Sequence, residues 1–215
     1  REVGERDLLE CHLATARALT REGWRVAHTL PWLPVSFFAA HPGDSSFLYH
    51  WMLAPFTLIS PLIGMKIFIV FAALALSAAF YRVLGAISAK PAWLWMALFL
   101  FGSLSFFYRI QIGRTFTITI LFFLLLLDAF FRRQPLRAGF FFAVALLTHA
   151  LAIIFLPFIA FFVVLLFWKE RARARPWRFA VSALAGGMAG IFLRPYPVSS
   201  LSFISLLFQI PFRAN

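Results

Sequence analysis

The chain has 215 residues, of which 62% are apolar and only 13% charged, where a soluble domain has about 45–50% and about 25%. That excess, with 29 Phe and 7 Trp, excludes an ordinary soluble fold, and its concentration in runs such as 115–131 and 150–168 predicts an all-α, polytopic transmembrane helix bundle. The net charge of +12 does not indicate a nucleic-acid partner, because most cations lie in short loops between apolar runs, and the single Cys11 excludes an internal disulfide and a multi-cysteine metal site.

Charge divides the chain in two. Residues 1–50 hold Glu2, Glu5, Asp7, Glu10, Glu22 and Asp44 against five bases, for a net of −1, together with His12, His28, His41 and His50. Residues 51–215 hold only Asp128 and Glu170 against 15 bases, for a net of +13. The chain opens at Arg1 inside a helical pattern and without Met, so further residues upstream are expected, including one span of about 20 apolar residues.

The first element, 5–22, reads as an amphipathic helix with Leu8, Leu9, Leu13, Ala16 and Leu19 on one side, stopped by Gly23. It is too short and too charged to span, and is expected to lie flat at the interface with Arg17 and Arg21 toward headgroups. Asp7 and Glu10 are three residues apart and share a face. Pro31, Pro34 and Pro42 keep the next stretch irregular. A second short amphipathic helix follows in SSFLYHWMLAPF, with Asp44 or Ser45 as its N-cap and His50 on its second turn.

Residues 1–60 therefore form an external loop with two interfacial helices, and 61–215 form a bundle of about six spans: 61–81, 91–108, 116–131, 136–149, 151–168 and 179–193, with another beginning at 201–210. The apolar region from Leu136 to Trp168 is about 50 Å long as a single helix, too long for one crossing, so it is expected to turn near His149. Loop charge supports that division. Arg82 and Lys90, then Arg132, Arg133 and Arg137, then Lys169, Arg171, Arg173, Arg175 and Arg178 mark three cytoplasmic loops. The opposite side keeps Arg109, Arg114 and Arg194. This places the acid- and His-rich head outside, in a periplasm or equivalent lumen, with a bacterial inner membrane as the expected location.

RDLLECHLATARAL, HPGDSSFLYHWMLAPF, YRIQIGRTFTITILFFLLLLDAFFRRQ and LRAGFFFAVALLTHALAIIFLPF together resemble the GT-C superfamily of polyprenyl-phosphate-sugar glycosyltransferases. Protein O-mannosyltransferases, aminoarabinose transferases and oligosaccharyltransferases belong to it. The likeness covers nearly the whole chain as topology and loose spacing; the family's first span and the C-terminal soluble domain of some members are not in this sequence.

The resemblance implies an inverting transfer of a sugar from a polyprenyl-phosphate donor to an external glycan, lipid or protein acceptor. Such a reaction needs a carboxylate to take the acceptor's proton and cations to hold the departing phosphate. By position Asp7 corresponds to the family's acidic residue and is the expected general base, with Glu10 as the alternative. His41, Asp44 and His50 are candidates for orienting the acceptor or holding a divalent cation, Mg or Mn, which some members of the superfamily use and others do not. Arg109, Arg114, His149 and Arg194 are candidates for gripping the donor phosphate, Arg109 and Arg114 foremost.

His149 stands out by itself, because an ionisable group inside an apolar stretch is costly unless it faces a cavity or water. Thr148 beside it is expected to bond to backbone, Asp128 to pair with Arg132 at i, i+4, and Gly186 and Gly190 to form a helix-packing motif. Two other functional classes fit parts of the sequence. A transporter or flippase explains a broken helix pair around His149, and a non-catalytic membrane assembly subunit needs none of these polar residues.

Overall fold

The computed structural model describes residues 5–23, 46–111, 115–169, 176–195 and 197. Among these residues the fold is all-α, as the sequence predicts. The α-helices are α1 (Glu5–Glu22), α2 (Phe47–Thr57), α3 (Pro61–Ala86), α4 (Ala92–Phe101), α5 (Leu104–Gln111), α6 (Thr115–Phe131), α7 (Pro135–Thr148), α8 (Leu156–Lys169) and α9 (Pro176–Phe192), with a 3-10 segment at Ala150–Phe155 leading into α8. Two continuous helical stretches, Pro61–Ala86 and Ala150–Trp168, are long and apolar enough to cross a membrane, and the bent pair α4–α5 makes a third if it is one span.

Local chemistry sets the helix ends. Pro61 and Pro135 occupy first-turn positions, where a missing N–H costs nothing and the fixed φ suits a helix. Gly23, at φ +64°, takes the left-handed conformation that closes α1. Two non-glycine residues do the same. Arg133, at φ 59°, lets the Gln134 N–H reach the Ala129 carbonyl at 2.9 Å and its own N–H reach Phe130 at 3.1 Å. Ser88, at φ 55°, does so for α3, with Ala89 donating to Leu84 at 3.0 Å. Both are Schellman closures and both fall in loops carrying the basic residues.

The relative direction of the helices follows from named contacts. Arg82 near the end of α3 meets Asp128 near the end of α6, and the buried residues advance together along the two helices: Phe68 and Ala72 share a cluster with Ile118, then Leu76, Ala79 and Val83 share one with Leu121 and Leu124. Hence α3 and α6 run parallel. Phe123 stacks on Phe155 at 4.3 Å and Phe130 on Phe162 at 5.4 Å, so the stretch 150–169 also runs with α6. In α7 and α9, Gly139 faces Ser182 and Gly186, while Gly190 faces Ala143 and Leu146, so this pair is parallel too. The tight turn at 132–134 reverses α6 into α7. The ends of α3 and α6 and the starts of α7 and α9 therefore gather at one end of the bundle, which we call the basic end.

The α7–α9 contact is close, and glycine is its cause. A Cβ at Gly139 would run into the Ser182 carbonyl, and a Cβ at Gly186 into the Gly139 carbonyl, so the two backbones touch where any side chain would separate them. The Gly186–Gly190 spacing packs as expected, against a third glycine on α7 that the spacing could not reveal.

Three local expectations change. The segment 91–108 is two helices that meet at a 75° bend beside Gly102 and Ser103, where Ser103 Oγ accepts the Phe106 N–H at 3.3 Å. The high hydropathy of 91–108 as a whole concealed that break at Gly102 and Ser103. The second head helix is capped by Ser46, not Asp44 or Ser45, and Ser46 makes no side-chain capping bond. It is also apolar around most of its circumference: Tyr49, Leu53 and Ala54 are buried, while Leu58 and Ile59 just beyond it are exposed. It is embedded between α1 and the bundle.

Candidate functional site

The two ends of the bundle are chemically unlike. At the basic end Asp128 is buried at 4% side-chain exposure and takes two guanidinium groups, Arg82 at 2.7 Å from α3 and Arg132 at 2.7 Å from its own helix. The i, i+4 pair with Arg132 agrees with the sequence. Arg82 adds a second partner 46 positions away, and turns a surface pair into a tie between two helices.

At the opposite end α1 and α2 form a layer over the starts of α3 and α6. Leu13 and Ala16 of α1 share a core with Tyr49 and Leu53 of α2, Met65, Phe68 and Ala72 of α3, and Ile118 of α6. Ala18 and Leu19 join Phe47, with Trp51 and Leu147 packed against them. The last turn of α7 thus reaches the same layer.

Within that layer His12 Nδ1 lies 2.7 Å from His50 Nε2. One ring must donate and the other accept, so the two imidazoles cannot both be doubly protonated in this geometry. Tyr49 packs edge-on against both rings, at 5.3 and 5.7 Å, and against Phe68 at 5.5 Å. Its burial pushes the phenol pKa up from the ordinary value, because a phenolate there would lose its hydration, so Tyr49 is a neutral group. His50 is 5% exposed. The sequence pointed to His50 but gave no role to His12, since nothing in a spacing of 38 residues announces the pair.

His149 ends α7 in an extended conformation, φ −151° and ψ 129°, and caps the following 3-10 segment. The Leu151 N–H donates to its Nδ1 at 3.1 Å, so the imidazole satisfies a helix-start donor. Thr148 donates to the Val144 carbonyl at 2.8 Å, as expected. The turn predicted near His149 is therefore made by His149 itself. Arg194 follows the end of α9 and is 4% exposed.

The structure brings His50, with His12, to the α1–α2 layer, and places His149 and Arg194 at the helix ends on that side of the bundle. Asp7 and Glu10 belong to the first turns of α1, with side chains outside the described residues. His41, Asp44 and Arg114 also lie outside the described residues. No described contact joins Arg109 to the α1–α2 layer: its neighbour Ile110 packs with Leu76, Ala79, Val83, Leu121 and Leu124, a different cluster from the one holding Tyr49. Among the described residues no three His, Cys, Asp or Glu side chains converge to hold a metal ion. Comparison with known protein families, characterised proteins and solved structures finds no match.

Proposed function

We propose that this protein is a multi-pass membrane glycosyltransferase of GT-C type, working on the external face of a bacterial inner membrane with a polyprenyl-phosphate-linked sugar as donor. The observation that supports it most is the position of α1. The helix bearing Asp7 and Glu10 is packed, through Leu13, Ala16 and Leu19, onto the end of the bundle opposite the Arg82–Asp128–Arg132 tie. That is where a transfer chemistry on the outer side needs its base. The basic end, with loops 82–90, 132–137 and 169–178, then faces the cytoplasm under the rule that cytoplasmic loops are rich in Lys and Arg.

In this reading Asp7 removes the acceptor's proton, with Glu10 as the alternative base. Arg114 and Arg194 hold the phosphate that leaves with the polyprenol, and His149 holds the turn at the end of α7. His41, Asp44 and His50 orient the acceptor, or bind a divalent cation if one is used. Arg109, at the end of α5, is a further candidate for the phosphate. Purified full-length protein in proteoliposomes, given a polyprenyl-phosphate sugar and a panel of glycan, lipid and peptide acceptors, is expected to release polyprenyl phosphate only when an acceptor is present. No release with any acceptor would remove the proposal.

A transporter is the second reading, favoured by two breaks: the 75° bend between α4 and α5 and the extended residue His149 between α7 and the 3-10 segment. Discontinuous helices commonly line substrate paths. Substrate counterflow in the same liposomes without sugar transfer selects it. A non-catalytic assembly subunit shows neither activity.

A further inference from the structure

A groove of about 600 Å³ opens at the basic end between the starts of α7 and α9. Its floor and walls are apolar, from Leu136, Trp177 and Val181, and its polar contribution includes two guanidinium groups, Arg137 and Arg178. No acid lines it. Arg137 is steered by a bond from its Nη1 to Gln134 Oε1 at 2.8 Å. Arg178 lies over the Trp177 ring at 5.6 Å, which holds a cation against an aromatic face at the mouth of the groove. Leu136 is 81% exposed, Trp177 55% and Val181 54%. Below them on the same two helices Phe140, Leu184 and Met188 are also exposed, so the apolar surface continues from the groove along the bundle.

We propose that this groove binds an anionic phospholipid, its phosphate between Arg137 and Arg178 and one acyl chain along Leu136, Val181 and Leu184. Charge complementarity selects the headgroup. Two cations with no acid in the described lining attract a phosphate diester, and a zwitterionic headgroup brings its own ammonium to the same place. The apolar continuation selects a lipid over a soluble phosphate, since inorganic phosphate leaves Leu136 and Val181 uncovered. Trp177 is the interfacial residue such a site calls for, with an apolar body and a donor tip at headgroup depth. The basic loop positions at this end match the usual location of anionic-headgroup sites between membrane helices. The site depends on the membrane reading and not on glycosyl transfer.

Native mass spectrometry of the purified full-length protein, with phosphatidylglycerol or phosphatidylcholine added in detergent, tests this. Wild-type protein is expected to retain phosphatidylglycerol in preference to phosphatidylcholine, and millimolar inorganic phosphate should not displace it. Each of Arg137→Gln and Arg178→Gln should weaken retention about fivefold, and the pair roughly 25-fold. The charge-matched control Lys90→Gln with Arg133→Gln, at the same end but outside the groove, should leave it within about twofold. Equal retention of the two lipids by the wild type overturns the proposal. So does unchanged retention in Arg137→Gln with Arg178→Gln, an equal loss in the control, or full displacement by inorganic phosphate.

Discussion

Replacing Arg82 and Arg132 together by alanine is expected to destabilise the bundle by about 3–5 kcal/mol, whereas either change alone should cost only about 1 kcal/mol. The asymmetry comes from burial. Asp128 has 4% side-chain exposure, but Arg82 and Arg132 are about half exposed at 51% and 44%. A single guanidinium still compensates the carboxylate, and the remaining arginine is partly solvated whether or not it is paired. With both removed, the carboxylate stays buried without either guanidinium. Asp128→Leu should be milder than the double arginine change, because two half-exposed guanidinium groups can turn to water. Unfolding of each variant in mixed micelles, followed by circular dichroism against rising dodecyl sulfate, measures the series. A double variant no weaker than the sum of its singles would show that Arg82 does not tie α3 to α6.

Asp7→Asn is the second large effect. If Asp7 is the general base, its amide cannot accept the acceptor's proton, and the rate of sugar transfer should fall about 10²–10⁴-fold. Asn keeps the shape and hydrogen-bonding capacity of the side chain, so the helix and its packing through Leu13, Ala16 and Leu19 should be retained. Donor binding should accordingly be unchanged while turnover collapses. Glu10→Gln, tested beside it, should leave turnover within about threefold if Asp7 acts alone. A collapse in Glu10→Gln with Asp7→Asn fully active would transfer the role to Glu10. Full activity in both would mean that neither carboxylate is the base.

Much of the architecture was legible because periodicity and punctuation are local. Pro61 and Gly23 announce helix ends, Asp128 and Arg132 announce an i, i+4 pair, and an apolar run too long for one crossing announces the turn at His149. What was not legible depends on which helices become neighbours. Arg82 finds Asp128 across 46 residues, His12 finds His50 across 38, and Gly139 faces Gly186 only because α7 and α9 run parallel. None of these leaves a trace in spacing. The bend at Gly102–Ser103 was hidden for a different reason, since hydropathy alone does not distinguish one straight helix from two short apolar ones. At the candidate site the sequence proposed His50, His149 and Arg194, and the fold adds what it could not: a partner for His50 and a backbone-capping duty for His149.

The functional reading depends above all on the α1–α2 layer and the basic end lying on opposite faces of a membrane. Labelling by a membrane-impermeant maleimide tests this most directly. Cys11 is the only cysteine, so in a Cys11→Ser background a single reporter can be placed on exposed Arg17 of α1 or exposed Arg133 of the α6–α7 turn. The expected result is that Arg17→Cys is labelled in intact cells and Arg133→Cys only after the membrane is permeabilised. Labelling of both positions from the same side, or Arg133→Cys alone in intact cells, would contradict it.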